Sequence, residues 1–269
     1  MKTENNMFLK DEVSTIIFND EDLRDYVVSI ISESSGLERD FVSDNLVLDN
    51  NRINSNSKIK FSEVDAIYHN DYMYFNIEIN THKSNNTDSK NFRYVCHLIL
   101  KQVPIGEKDK YRKIYQININ DYDYFGKDRF IYQSSMMEEN LKRNDFMTII
   151  DINLAYLRNI DYNQIKRERA NSLKKLLYIF ICNDKNKREE LYDGDSLMEK
   201  VNKKLEFLTD EFGNLYYDKE AYMDSVYYEL GTKEGAKNKS IEIAKNLIQM
   251  NLNIDDIINL AFGLPNATQ

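Results

Sequence analysis

The sequence predicts an α/β (α+β) fold in which helices flank a mixed central sheet. Apolar side chains recur at helical spacing in residues 21–33, whereas residues 45–80 alternate polar and apolar side chains as strands do. A further helix and strand follow, and helices alternating with strands are typical of a sheet covered by helices. We expect this core to occupy residues 1–150 and a mainly helical C-terminal region to occupy residues 151–269.

Composition limits the classes of protein that the chain can represent. Its 269 residues are 42% hydrophobic, enough for a sizeable core, and only 8 Gly and 2 Pro exclude a collagen-like or linker-rich chain. A net charge of −9 argues against coating nucleic acid by bulk electrostatics, although a local basic surface and bridging metal ions would still let an enzyme meet DNA. The polar N-terminus lacks a signal core, and no window approaches the roughly 18 apolar residues of a membrane span. We therefore expect a soluble cytoplasmic protein with no membrane partner.

The cysteines and histidines show no pattern of metal or redox chemistry. Cys96 and Cys182 occupy apolar helical patterns, which favours buried free thiols over a disulfide. No Cys/His spacing fits zinc. His82 lies in a polar loop, where a place at the mouth of a site is one alternative, and His97 is expected on a helix. Heavy use of Asn, Lys and Ile indicates an AT-rich bacterial genome.

The first predicted helix, residues 21–33, has one apolar face and a stop signal. Its face consists of Leu23, Tyr26, Val27, Ile30 and Ile31. Gly36 follows as a C-terminal cap. Short β-branched stretches between residues 45 and 80 then predict strands, and a tight turn at residues 69–71 joins the last two in a hairpin.

A second helix and another strand complete the predicted core. Residues 81–90 are predicted to form a polar loop, and helical spacing predicts a helix over residues 91–103. The apolar positions of this helix are Phe92, Val95, Leu98 and Ile99, and it ends before Pro104 and Gly106. Residues 111–125 alternate again and predict a strand.

The C-terminal half contains several helical patterns. They cover residues 163–181, 195–208, 219–230 and 234–250, with a last helix from residue 251. The first is apolar through Leu173, Leu176, Leu177 and Phe180. The last two have the outline of a helix-turn-helix DNA reader, but the final one is acidic where a recognition helix is basic, so we favour a structural role. Residues 219–250 also carry enough apolar positions for self-association into a homo-oligomer.

The predicted hairpin carries two acidic residues among Val, Ile, Tyr and Phe. In VDAIYHNDYMYFNIEIN, residues 64–80, Asp65 lies near the start and Glu78 near the end. A turn at residues 69–71 places them on adjacent strands but offset by a few residues, and a twist or bulge could bring the carboxylates together. Because side chains alternate along a strand, Glu78 shares its face with Asn80.

Two interpretations of this pair stay open. A solvated sheet face explains both acids without any ligand, and spacing alone favours it. Alternatively, two carboxylates on one face would hold a hard divalent cation such as Mg²⁺, because they repel each other unless a cation lies between them. Such an ion activates water and stabilises charge on a phosphodiester.

Several segments carry information through their order and spacing along the chain. They are FSEVDAIYHNDYMYFNIEIN, the helix NFRYVCHLILKQ, the strand YRKIYQININDYDYF, DINLAYL after the core, and EGAKNKSIEIAKNLIQMNLNIDDI near the C-terminus. In this order and spacing the chain resembles the PD-(D/E)XK nuclease family transposases, also called recombination-promoting nucleases. The resemblance covers most of the chain. It implies a restriction-endonuclease-like core followed by the helical C-terminal region.

The resemblance also implies site residues. Asp65 matches the metal-binding aspartate, Glu78 the acid of the E-x-K element, and Asn80 the position of the superfamily lysine, where many transposase-like members carry a neutral amide. Arg93 matches a basic residue facing the phosphate, with a surface salt bridge as the alternative. Gln116 matches a polar residue on the next strand, with a plain sheet-surface glutamine as the alternative.

The superfamily tends to add an acidic residue from the first helix. Glu21 and Asp25 are the candidates here, with a solvated helix face as the alternative.

For function, the resemblance implies a divalent-metal-dependent DNA endonuclease, a hydrolase that cuts DNA phosphodiesters and promotes recombination. Asp65 and Glu78 would hold Mg²⁺ or Mn²⁺, Asn80 would help to position water, and Arg93 would contact the scissile phosphate. One alternative is a catalytically inactive nuclease-like module that binds DNA or protein, because Asn80 brings no positive charge. Another is a structural assembly protein that associates through its C-terminal helices.

Overall fold

The computed structural model describes residues 11–49, 52–53, 62–84, 87–102, 111–135, 137–138, 141–142 and 146–208, with positions 235 and 239. The chain divides into two compact units, Met1–Tyr217 and Asp218–Gln269, and the helices and strands below belong to the first. Apart from positions 235 and 239, the helices predicted after residue 218, and self-association through them, lie outside the described residues, as do Pro104 and Gly106. The predicted division at residue 150 stays a prediction.

Helices and strands alternate along the first unit. The helices are α1 (Asp11–Asn19), α2 (Arg24–Ser35), α3 (Arg39–Ser43), α4 (Thr87–Gln102), α5 (Leu154–Arg158), α6 (Tyr162–Lys166), α7 (Leu173–Tyr178), α8 (Lys185–Tyr192) and α9 (Ser196–Leu208), and a short 3-10 helix at Glu21–Leu23 precedes α2. The strands are β1 (Val47–Leu48), β2 (Arg52–Ile53), β3 (Ser62–Glu63), β4 (Ala66–His69), β5 (Met73–Asn80), β6 (Lys113–Asn120), β7 (Ile131–Ser134), β8 (Met137–Glu138), β9 (Leu141–Lys142) and β10 (Met147–Asn153).

The central sheet has six strands in the order β1-β4-β5-β6-β10-β7. β6 pairs in parallel with β5 on one side and with β10 on the other, whereas the outer pairs are antiparallel. Two-stranded ribbons form separately from β2 with β3 and from β8 with β9. Helices flank the sheet, so the predicted mixed α/β fold is confirmed.

One face of the central strands is apolar. The odd-numbered residues from Phe75 in β5 and from Tyr115 in β6 form it, and they pair as Phe75 with Tyr115, Ile77 with Ile117, and Ile79 with Ile119. On the neighbouring β4, Tyr68 Oη donates a hydrogen bond of 2.8 Å to the carbonyl of Phe18 in α1. Since α1 contacts β4 and β5 and α2 contacts β6 and β10, these two helices cover the apolar face.

The opposite face lies under α4 and changes character along the strands. At one end an apolar cluster joins the sheet to α4, and its members are Val64, Ile67, Tyr74, Tyr94, Val95, Leu98, Ile114 and Met147. Toward the C-terminal ends of β5 and β6 the even-numbered side chains become polar while staying buried, and they are Asn76, Glu78, Asn80, Gln116, Asn118 and Asn120. The candidate site residues therefore lie at the polar end of this face.

The helix predicted at residues 21–33 is confirmed as the 3-10 turn followed by α2. All five residues of its predicted apolar face are buried. Gly36 ends the helix with φ 74°, and its N–H donates to the Ser32 carbonyl at 2.9 Å. The helix predicted at residues 195–208 is also confirmed, as α9.

Other predicted boundaries were wrong. The helix predicted at residues 91–103 begins at Thr87, and Phe92, predicted on its apolar face, is 61% exposed while Tyr94 is buried. The pattern at residues 163–181 forms two short helices, α6 and α7, with their apolar residues buried as predicted. Neither α1 nor the strands β7 and β10 were predicted.

Both cysteines are free thiols; Cys182 is buried and Cys96 half-buried. None of the helices in the described part of the chain is long and apolar enough to cross a membrane.

Candidate active site

Asp65 and Glu78 stand opposite each other. β4 and β5 pair so that Ala66 faces Ile77, and Asp65 directly precedes Ala66. The predicted offset of a few residues was therefore wrong, and the two residues meet without a bulge between Ala66 and His69. The cause is the connection after His69, which is longer than a two-residue turn: Asn70 Oδ1 accepts hydrogen bonds from the N–H groups of Tyr72 and Met73, at 3.0 and 2.9 Å.

Backbone groups hold the two carboxylates together. The Asp65 N–H donates to Glu78 Oε1 at 3.4 Å, and the Ile79 N–H donates to Asp65 Oδ2 at 2.7 Å. Each carboxylate is thus anchored by the strand that carries the other. Because Glu78 is fully buried, its position is fixed before any ligand arrives.

The first helix contributes a hydroxyl and an amide to this site. Thr15 Oγ1 donates to Asp65 Oδ1 at 3.2 Å, and Asn19 Nδ2 donates to the Asp65 carbonyl at 2.6 Å. Glu21 and Asp25, the acids considered for this place, are exposed, and Asp25 lies 3.6 Å from Arg39. Sequence reasoning missed Thr15 and Asn19, because their contacts with Asp65 join parts of the chain that are about 50 residues apart.

Lys90 forms an ion pair with Glu78. Its Nζ lies 2.8 Å from Glu78 Oε2, and the side chain is 37% exposed. Lys90 belongs to the first turns of α4, one turn before the buried Tyr94, and its Nζ lies 5.5 Å from the centre of that ring. The sequence prediction missed Lys90 because it began this helix at residue 91.

The electrostatics of the three groups are coupled. Burial, followed by the charge of Asp65, raises the pKa of Glu78, while Lys90 acts in the opposite direction. Partial burial lowers the pKa of Lys90, but the charge and the hydrogen bond of Glu78 together have the larger effect, so the pKa of the ammonium is raised. Burial and Glu78 also raise the pKa of Tyr94 to about 12. Lys90 therefore stays protonated beside a carboxylate that needs a cation.

Arg93 and the histidines His82 and His97 form no hydrogen bond or ion pair with Asp65 or Glu78 among the contacts of the described residues. Arg93 is exposed on α4, with its guanidinium carbon 5.8 Å from the centre of the Tyr94 ring. His82 is exposed in the loop after β5. His97 is half-buried further along α4, where burial lowers its pKa.

Asn80 joins a buried chain of side-chain amides that ends on Asp151. Asn80 Nδ2 donates to Asn120 Oδ1 at 3.0 Å, and Asn120 Nδ2 donates to Asp151 Oδ1 at 3.1 Å. An ionised carboxylate only accepts hydrogen bonds, so it turns the amide groups of this chain toward itself. Asn80 Oδ1 is left as the atom that can accept a hydrogen bond at the site.

Gln116 belongs to the second branch of this network. Asn118 Nδ2 donates to the same Asp151 Oδ1 at 2.9 Å, Gln116 Nε2 donates to Asn118 Oδ1 at 2.9 Å, and Asn76 Nδ2 donates to Gln116 Oε1 at 2.7 Å. Gln116 is fully buried, so the alternative of a sheet-surface glutamine is wrong. Its contacts are with the network rather than with Asp65 or Glu78.

The donor set suits a hard divalent ion held by few protein ligands. Asp65 and Glu78 supply carboxylate oxygens, and Glu78 Oε2 accepts no well-aligned hydrogen bond among the described residues, its contact being the ion pair with Lys90. The same part of the chain contains no group of three or more His, Cys, Asp or Glu side chains that could hold a metal. An ion here would complete its coordination with water and phosphate, as Mg²⁺ commonly does.

The fold consists of a mixed six-stranded sheet flanked by helices, and the paired carboxylates lie where the parallel strands end. This arrangement is consistent with a nuclease-like α/β fold. The family model described as PD-(D/E)XK nuclease family transposase matches residues 15–230, and the chain belongs to this family. No curated protein and no solved structure matched the chain. Membership supports a nuclease-like function and suggests DNA as the substrate, and nucleases of this superfamily generally use divalent metals.

Proposed function

We propose that the chain is a divalent-metal-dependent DNA endonuclease that hydrolyses phosphodiester bonds and thereby promotes recombination. The observation that supports it is the meeting of Asp65, Glu78 and Lys90 at one point. Two adjoining carboxylates suit a shared cation, and an ammonium suits a phosphate. Phosphodiester hydrolysis uses both kinds of group, because the reacting phosphate gains charge while water attacks it.

We assign Mg²⁺ or Mn²⁺ to Asp65 and Glu78. When bound, such an ion activates a water molecule and stabilises charge on the phosphate. The protein's contribution is preorganisation: the Ile79 N–H holds Asp65, and the Asp65 N–H holds Glu78. Neither carboxylate has to be ordered at the moment of binding.

Lys90 takes the role that the superfamily lysine would have at position 80. The side chain is partly exposed, so a phosphate in the open part of the site can contact the ammonium while Glu78 orients it. Asn80 would accept a hydrogen bond from the attacking water through Oδ1, because its Nδ2 is committed to Asn120. Arg93, on the exposed side of α4, is better placed for a flanking phosphate than for the scissile one.

The test is cleavage of supercoiled plasmid by the purified chain. Wild type should nick or cut the plasmid with Mg²⁺ or Mn²⁺ and stop when EDTA removes the ion. Asp65→Ala should lose at least about 100-fold in rate, because one of two metal-binding carboxylates is gone. Asp25→Ala is the matched control, an exposed acid away from Asp65, and should cut normally. Equal cutting by wild type and Asp65→Ala would contradict the assignment.

A catalytically inactive nuclease-like binding module is the second candidate. The ion pair of Lys90 with Glu78 favours it, because an internal ammonium already occupies one carboxylate oxygen. Calorimetric titration with Mn²⁺ separates the two candidates. Heat of binding that disappears in Glu78→Gln supports the endonuclease, whereas no binding by wild type supports the inactive module.

A further inference from the structure

A loop rich in aromatic residues borders the candidate site. We call residues 121–130, between β6 and β7, the aromatic loop. It begins where β5 and β6 end, since Asn80 and Asn120 are partners and the Asp121 N–H donates to the Asn80 carbonyl at 2.9 Å. The aromatic loop therefore starts at the strand end that carries Glu78 and Asn80.

Two contacts fix the aromatic loop to the walls of the site. Lys83, just after β5, donates from Nζ to the Tyr124 carbonyl at 2.8 Å. Tyr124 Oη donates to Asp88 Oδ1 in the first turn of α4, two residues before Lys90. The loop is thus tied both to the strand of Glu78 and to the helix of Lys90.

Aromatic rings cluster in the loop, and one of them faces solvent. The centre of the Phe125 ring lies 4.8 Å from that of Tyr124 and 4.7 Å from that of Tyr132 in β7. Phe125 is nonetheless 44% exposed. Its neighbours support the ring from one side and leave another part of it open.

Asp123 holds the loop in shape. Its carboxylate accepts hydrogen bonds from the N–H groups of Gly126 at 2.9 Å and Asp128 at 2.8 Å, and from Tyr132 Oη at 3.1 Å. Both Gly126 and Asp128 adopt positive φ, at 64° and 48°. Because the turn is already ordered, a ligand that binds Phe125 need not bear the full entropic cost of ordering it.

The aromatic loop and the segment that contacts it carry exposed cations. Lys127 and Arg129 are exposed, and neither side chain forms an ion pair within the described ranges. Lys83 Nζ lies 5.0 Å from the centre of the Tyr124 ring. Asp121 pairs with Arg158 and Asp123 is used inside the loop, whereas Asp128 is an exposed acid. The exposed cations Lys83, Lys127 and Arg129 outnumber Asp128, so the charge offered by this region suits a polyanion.

We propose that the aromatic loop binds an unpaired nucleobase by stacking it on Phe125, which makes the preferred substrate single-stranded or locally opened DNA. This inference rests on the proposed function. An exposed ring beside cations is the arrangement that stacks bases and tracks a phosphate backbone, and a base offers its face only when it has left the duplex stack. Lys127 and Arg129 then contact the phosphates on either side of that base.

The chain contains no Trp, so a single substitution creates a specific reporter. Phe125→Trp and Phe146→Trp are made in the full chain carrying Asp65→Ala, and emission is followed in EDTA as an oligonucleotide is added. Phe146 is the matched control: it is 38% exposed and lies at the other end of the sheet, just before β10. We expect single-stranded DNA to quench the Phe125→Trp variant and leave the Phe146→Trp variant unchanged.

Affinity is measured on the same background by fluorescence anisotropy. Phe125→Ala should weaken binding of single-stranded DNA about tenfold, the size expected when one stacked base is lost, and Phe146→Ala should not. Fully paired duplex should bind more weakly and respond less to Phe125→Ala. Equal quenching of both Trp variants, no binding of single strand, or an equal loss for duplex would overturn the proposal.

These measurements separate this inference from the endonuclease itself, because binding is read without metal. If plasmid cutting depends on Asp65 but is unchanged in Phe125→Ala, and DNA does not quench the Phe125→Trp variant, only the aromatic-loop proposal is contradicted. Quenching without any metal-dependent cutting contradicts only the endonuclease.

Discussion

At the residue scale, the site is defined by a buried carboxylate beside a second acid. Glu78 is fully buried next to Asp65, and Lys90 forms an ion pair with Glu78. Burial of a carboxylate is costly, and burial together with the charge of Asp65 raises the pKa of Glu78 against the effect of Lys90. A divalent ion bound by both carboxylates would stabilise the folded protein, so the site should be more stable loaded than empty.

The first prediction concerns Lys90. Lys90→Ala should reduce cleavage by about 100-fold, as expected when one preorganised donor to a reacting phosphate is removed. Lys90→Arg should retain part of the activity because it keeps the charge. Rates are measured under saturating Mg²⁺ on plasmid DNA.

Arg93→Ala is the comparison for Lys90, because it removes a cation from the same helix without touching Glu78. A small effect is expected, and it also tests the phosphate contact predicted for Arg93 from sequence. If Arg93→Ala proved as damaging as Lys90→Ala, the distinction between the two cations would fail. Thermal melts with and without Mn²⁺ check that Lys90→Ala is folded.

The second prediction concerns Asp151, which orients the amide network. Asp151→Ala leaves the buried Nδ2 groups of Asn118 and Asn120 without their acceptor, so we expect a loss of about 2–4 kcal/mol in the free energy of unfolding. Asp151→Asn should cost much less, because both amides donate to a single oxygen and an asparagine keeps that oxygen. Urea unfolding measures both variants, and equal losses would contradict the network.

Asp151 also gives the stability of the protein a pH dependence. Burial raises the pKa of its carboxyl, so the folded protein binds a proton there more readily than the unfolded chain. This contribution to stability is greatest at low pH and is lost as the pH rises above the ordinary aspartate range. Asp151→Asn removes the effect, so its stability relative to wild type should rise from about pH 4 to about pH 7.

At the scale of elements, the start of α4 decided whether the site could be found from sequence. The apolar positions Val95 and Leu98 were predicted because they follow the helical period and are buried. The first turn, Thr87 to Lys90, has only polar side chains, so hydrophobic periodicity did not reach it. Lys90 was missed for that reason, although it lies four residues before Tyr94 on the same side of the helix.

Strand faces were predictable, whereas strand register was not. The common face of Glu78 and Asn80 follows from alternation, which depends on β5 alone. The opposition of Asp65 and Glu78 depends on how many residues the connection uses, and Asn70 sets that through its side-chain hydrogen bonds. The contribution of α1 through Thr15 requires tertiary packing and has no strong local signal.

A further prediction concerns Gly36, whose backbone conformation ends α2. Its φ of 74° suits glycine, and no atom lies within 4 Å of the place that a Cβ would occupy. Gly36→Ala should therefore cost about 1 kcal/mol from backbone strain alone. Gly36→Asn should cost less, because asparagine enters the left-handed region more readily. Thermal unfolding measures both, and an equal loss would indicate an unrecognised contact.

At the scale of the whole first unit, an aromatic cluster links its two ends. The ring centres of Phe18 in α1 and Phe180 just after α7 lie 5.9 Å apart, and Tyr26 in α2 lies 6.4 Å from Phe180. Tyr26 Oη also donates to the Leu176 carbonyl at 3.0 Å. The helices after β10 therefore pack against the same helices that cover the sheet.

This packing leads to a test of the division predicted at residue 150. A chain ending there would lack Phe180 and the last three residues of β10, Asp151–Asn153. All three pair with β6, and Asp151 and Ile152 also pair with β7. We expect a fragment 1–150 to lack a cooperative unfolding transition and a fragment 1–217 to show one, by circular dichroism. A cooperative transition in the shorter fragment would support an independent core.

Because side chains alternate along β5 and β6, only every second residue of these strands faces the site. Every polar site residue on these strands has an even number, and the odd positions between them, such as Ile77 and Ile79, are apolar. Inserting a single codon between Asn76 and Glu78 would exchange the two sets, sending Glu78 beneath α1 and an isoleucine toward Lys90. A single-residue insertion at this place in β5 should therefore abolish function whatever residue it adds. The order in which side chains alternate along this short strand is as important as the identity of its carboxylate.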